Sequence, residues 1–147
     1  MVLLPLTVLL VVLALIACGF RTILLTLLVQ SAERGNIIPV SLTLARVPVP
    51  TNERFCLGVP ARRQGEPLWA LGTLVLTTGR VRLVRRGSVV VDIPLANVAH
   101  LTVQGFALAI TVRGASAPTV LRVTQPAVVA RYIQRLATMA VAPTVRR

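Results

Sequence analysis

The sequence predicts a mainly β protein with one C-terminal helix, preceded by a single transmembrane α-helix. Three observations carry that prediction. Val2 to Phe20 is a run of 19 residues without a charge. From Leu68 onward, short apolar stretches alternate with turn residues at close and even spacing, the pattern of an antiparallel sandwich or barrel rather than of parallel βαβ units. The final stretch then changes from strand period to helix period. The chain has 147 residues, 55% of them hydrophobic and 14% charged. That is room for one ordinary domain, too apolar for a disordered chain and for a typical soluble one.

The N-terminal run is read as a membrane span because 18 or more apolar residues can satisfy their own backbone hydrogen bonds in lipid as a helix. After Arg21 a second apolar stretch, Thr22 to Val29, follows. As one helix, Val2 to Val29 measures about 42 Å, against a hydrocarbon core of about 30 Å. Tilt or protrusion takes up the excess, with Arg21 snorkelling to the interface. Pro5 falls in the first turn, where it costs little. No positively charged region precedes the run, as a secretory signal would require. The competing reading is a lipoprotein: Leu15-Ile16-Ala17-Cys18-Gly19 resembles a lipobox, in which Cys18 is acylated and the body is extracytoplasmic. Arg21, Arg34 and Arg46 all follow the run and none precedes it. The positive-inside rule therefore puts the N-terminus outside and the C-terminal body on the cytoplasmic side of the cell membrane. Cys18 and Cys56 make no disulfide framework.

Residues 1–30 are thus assigned to the transmembrane helix and 31–67 to a linker with one or two strands. Gly35-Asn36 is a turn signal, Ile37 to Val47 has strand composition, and Phe55 to Val59 is a second short strand. Residues 68–142 form the β domain with its helix, and 143–147 a basic tail. Within the domain, strands are expected over Leu68–Thr77, Arg80–Val84, Val89–Ile93, Val98–Val103, Ala107–Val112 and Thr119–Val123. A helix follows, opened by Thr124 or Gln125 with Pro126 in its first turn and closed by Pro143. Val129, Tyr132, Ile133, Leu136 and Ala140 make its apolar stripe.

The run Gly72-Thr73-Leu74-Val75-Leu76-Thr77-Thr78-Gly79-Arg80-Val81 resembles the opening of bacterial PH-like and GRAM-type domains. Ile93-Pro94-Leu95-Ala96-Asn97-Val98 is similar to their isoleucine-proline-leucine corner, and the last helix lies where those domains carry the helix that plugs a small antiparallel PH-like barrel. The likeness covers about Leu68 to Ala140. It implies a binding module for membrane phosphates or for protein. A clear lysine-x-arginine phosphoinositide motif is lacking, so inositol-lipid specificity does not carry over.

Catalysis has little raw material. His100 is the one histidine, and Glu33, Glu53, Glu66 and Asp92 are the four acids, scattered without an acid/base pair. Cys56, Asp92 and His100 lack ligand spacing, and Gly72, Gly79 and Gly87 are separate turn glycines rather than a phosphate-cradling loop. The expectation is no enzyme, no cofactor and no metal.

All 16 basic residues are Arg, and the net charge is +12. Guanidinium stays charged and grips phosphate oxygens in a bidentate fork. Arg80, Arg82, Arg85 and Arg86 fall on one hairpin, with Arg62 and Arg63 in the loop before it. These six are the candidate residues for anionic phospholipid headgroups or a protein partner. A solvated strand face that keeps an apolar protein soluble is the plain alternative. A second class is an accessory subunit of a larger membrane complex, with Ala14, Ala17 and Gly19 permitting close helix approach. Nucleic acid is disfavoured, since the few aromatics offer scarce stacking platforms.

Overall fold

The computed structural model describes residues 3–34, 39–43 and 49–141. Helix α1 runs unbroken over Leu3–Glu33. Its leucines and valines leave few polar groups to satisfy, and the hydroxyls of Thr22 and Thr26 donate to the carbonyls of Cys18 and Thr22, both at 2.9 Å. The helix has two unlike halves. From Pro5 to Phe20 every residue is exposed. Beyond Arg21 one face turns inward, with Leu25, Leu28 and Val29 buried and Leu24 packed against the same core. Pro5–Ser31 is long and apolar enough to cross a membrane, with a mean hydropathy of 2.7.

Eight strands form the sheet: β1 (Val40–Ser41), β2 (Phe55–Arg63), β3 (Gly72–Thr77), β4 (Arg80–Arg85), β5 (Ser88–Pro94), β6 (Val98–Gln104), β7 (Ala107–Val112) and β8 (Thr119–Val123). Their order is β5-β4-β3-β2-β8-β7-β6, with β1 paired in parallel to β2. All other pairs are antiparallel. Helix α2 (Pro126–Val141) closes the fold, burying Val129, Tyr132, Ile133 and Leu136. This is the expected PH-like fold: a meander of antiparallel strands plugged by a C-terminal helix, with the apolar helix in front.

Several boundaries differ from the expectation. The second half of α1 packs Leu25, Leu28 and Val29 into the body's core, because a stripe that suits lipid suits a protein interior equally well. Residues 55–63 are the middle strand of the sheet, so the domain begins well before Leu68. Leu68–Ala70 is a single 3-10 turn, and the strand starts at Gly72. Gly72 is required there: a Cβ would sit 2.5 Å from the carbonyl oxygen of Val84 on the neighbouring strand. Ala140 is exposed, so the last turn of α2 has no core beneath it. The Gly35-Asn36 turn, most of the stretch Ile37–Val47, Pro143 and the basic tail lie outside the described residues.

Candidate functional site

Strand β4 alternates as expected: Val81 and Leu83 are buried, while Arg80 and Arg82 look outward. These two arginines are bound to acids. Arg80 donates through Nε to Glu53 Oε1 at 3.2 Å and through Nη1 to Asp92 Oδ2 at 3.0 Å. Arg82 Nε reaches Asp92 Oδ1 at 3.3 Å. Asp92 first, by hydrogen bond and charge, and then Glu53 raise the Arg80 pKa further above its ordinary value. Beneath them, the buried Thr77 hydroxyl donates to Glu53 Oε2 at 2.6 Å and accepts the backbone N–H of Arg80 at 3.0 Å. The threonine-turn-arginine sequence is therefore a clamp that fixes the β3–β4 turn to the chain entering β2.

The other four candidates gather at the opposite end of β4. Arg85 lies five residues from Arg80, about 17 Å along the strand. Its Nη2 pairs with Glu66, and Arg62 donates to the Glu66 backbone carbonyl. The Arg63 backbone N–H donates to Glu66 Oε2 at 3.3 Å. Glu66, through its carboxylate and its carbonyl, thus collects Arg62, Arg63 and Arg85. Arg86 is exposed beside them at the tip of the hairpin, with φ of 49°, and Gly87 follows at 80°. Two successive positive φ values give the turn that matches the twist of an antiparallel pair.

Two further arginines join this end. Arg122 pairs in register with Arg62 across β2 and β8, and both line an open groove with Arg21 of α1. Leu71 and Phe106 complete its wall. The sequence hides this grouping, because it depends on β8 pairing with β2 some sixty residues away. Arg21, Arg62, Arg63, Arg85, Arg86 and Arg122 share this rim with Glu66.

Chemistry elsewhere is sparse. His100 is exposed on β6, at a shallow hollow shared with Gln134 and Thr138 of α2. Among the described residues no three His, Cys, Asp or Glu side chains are grouped to hold a metal. Cys56 and Tyr132 are buried in the core. Burial pushes the thiol up to about 11, and burial, then the charge of Cys56, raises the phenol.

No protein-family model matches the chain, and no curated protein matches it in sequence. Among solved structures it is similar to a DUF1696 family protein with a pleckstrin-homology domain from Shewanella loihica. The identity is 20%, over 60% of this chain and 85% of that one, with a TM-score of 0.46. A pleckstrin homology domain from Shewanella amazonensis is similar at 19% identity, over 60% and 78% of the two chains, with a TM-score of 0.44. The complex of the FERM and C-terminal domains of Drosophila Merlin is similar at 9% identity and a TM-score of 0.45, over 56% of this chain and 28% of that one. These are likenesses of fold.

Proposed function

We propose that the chain is a membrane-anchored, non-catalytic binding module. The free half of α1 crosses the bilayer with its N-terminus outside, and the PH-like body lies on the cytoplasmic leaflet and binds anionic headgroups. One observation carries this reading: a single unbroken helix is apolar and exposed over Pro5–Phe20 and built into the body's core over Leu24–Val29. Leu3–Phe20 is about 27 Å long, close to the hydrocarbon thickness of about 30 Å. Arg21 then falls at headgroup depth, and the body is held against the membrane rather than hung from a tether. At that distance each arginine near an anionic surface contributes about 1 kcal/mol. The phosphate contacts fall at the end of β4 where Arg62, Arg63, Arg85 and Arg86 gather around the one carboxylate of Glu66, whereas Arg80 and Arg82 serve the clamp with two, Glu53 and Asp92.

A second reading is favoured by the position of Cys18, three residues before Arg21, where the helix passes from free to docked. Acylation there would also tether the body, now outside the cell, through a chain that starts at Cys18. The intact mass of the purified protein separates the two. Topology is read with Ser116→Cys, placed in an exposed loop, and a membrane-impermeant maleimide. Labelling only after permeabilisation, in protein that resists carbonate extraction, supports the proposed orientation. Labelling in intact cells overturns it.

A further inference from the structure

The rim where α1 leaves the body carries the largest apolar side chains that the body exposes. Leu68 is 78% exposed, Trp69 76% and Phe106 72%, with Leu71 beside them. Three large hydrophobic residues in one short loop, joined by a phenylalanine, are more than scattered surface leucines and mark an interaction surface. Their loops are built to present them. Pro67 opens the 3-10 turn that lifts Leu68 and Trp69 off the sheet, and Gly105, at φ of 59°, sets Phe106 at the tip of the β6–β7 hairpin.

We infer that this rim is a wedge seated in the interfacial layer of the same leaflet from which α1 emerges, with Trp69, Leu68, Leu71 and Phe106 between the headgroups and the first acyl-chain carbons and Arg21, Arg62 and Arg122 on the lipid phosphates. The inference rests on the reading that the free half of α1 lies in the bilayer. Given that, depth follows from geometry. Arg21 ends the free half and lines the same groove as Leu71 and Phe106. Those two side chains are therefore at headgroup level without any rearrangement of the body. Charge fits the occupant: three arginines line the same groove as Leu71 and Phe106, and tryptophan is the residue that settles at membrane interfaces. A protein partner would have to share this rim with the bilayer surface. The same wedge also serves a lipid anchor at Cys18, since either tether leaves the body at Arg21.

Trp69 is the single tryptophan of the chain, so its fluorescence reads the rim alone. The experiment uses the full chain in phosphatidylcholine/phosphatidylglycerol vesicles, with and without lipids brominated high on the acyl chain. A companion protein, Trp69→Phe with Phe20→Trp, reports on α1 in the same vesicles. The wedge predicts a blue-shifted Trp69 emission that loses most of its intensity to the brominated lipid and resists iodide. The indole introduced into α1 of the companion protein is quenched as well. Quenching in the companion with none at Trp69 overturns the wedge and leaves the anchor standing. Quenching in neither protein overturns the anchor reading, and the wedge falls with it. Shielding of Trp69 from iodide without quenching by lipid assigns the rim to a protein contact or a second copy, and also overturns the wedge.

Discussion

Cys56 is fully buried, and folding holds its proton far above the range in which an unfolded thiol, at about 8.5, gives it up. Its folded pKa is raised, so its contribution is complete below about pH 8.5 and is lost as pH climbs towards about 11. That loss amounts to about 3 kcal/mol, because the unfolded chain binds fewer protons than the folded one over this window. Denaturant titrations between about pH 8 and 10 should show stability falling in the parent and a flatter profile in Cys56→Ala. The thiol should also resist maleimide until the protein is unfolded. Thr77 makes a second prediction at this scale. Replacing it by Val strands Glu53 Oε2 and the Arg80 N–H, which hydrogen-bond the hydroxyl at 2.6 and 3.0 Å. The expected cost is about 1–3 kcal/mol, read as a lowered unfolding midpoint. The motif that carried the likeness to PH-like domains is thereby accounted for as a device of folding, and Arg80 and Arg82 as parts of it. The sequence shows that these arginines share a strand face. It cannot show that Asp92 and Glu53 are waiting for them, since both come from other segments.

Among the elements, α1 carries the sharpest contrast. Leu25→Ala or Leu28→Ala removes a side chain from the core and should cost the body about 2–5 kcal/mol each. Leu9→Ala and Leu13→Ala, in the exposed half, should leave the body's unfolding curve unchanged. Chemical denaturation in detergent micelles, followed by the emission of Trp69, compares the four. The meander from β3 to β8 was legible because each strand is short, apolar and closed by its own turn: Thr78-Gly79, Arg86-Gly87 and Gln104-Gly105 sit where local chemistry demands. β2 was less so. FCLGVPARR looks like a strand that stops at its proline, and only pairing to β3 and β8 extends it to Arg63. The stretch from Leu68 to Leu71 departs from its sequence reading for the opposite reason. Leu68, Trp69 and Leu71 have the composition of a strand, and their exposure follows from a tertiary fact, that no strand among the described residues lies beside them.

For the whole molecule, the two halves of α1 set where the chain can be cut. A chain starting at Arg21 keeps every buried residue among those described and should unfold cooperatively. One starting at Gly35 loses Leu25, Leu28 and Val29 from the core and should not. Calorimetry or circular dichroism melting of the two truncations in mild detergent checks this. Fold class was readable at this scale from hydropathy and turn spacing. The candidate site was half readable: composition announced an arginine-rich surface, but which arginines meet is decided by sheet order. That order pairs Arg62 with Arg122, and the docking of α1 adds Arg21 to the same groove.

The contact between α1 and α2 joins helices at opposite ends of the sheet's sequence, and the hydrogen bond from Gln125 to Thr22 spans 103 residues. During synthesis α1 emerges long before α2, and its inward stripe must wait for all eight strands before it finds its partner. Contacts of such long separation are slow to form, because the intervening chain must be ordered before they are rewarded. Until α2 is made, Leu25, Leu28 and Val29 lack the helix against which they pack in the folded body. On the proposed reading of α1 as a membrane anchor, insertion into the bilayer and completion of the body are two events separated in time, and the second waits until α2 has cleared the ribosome.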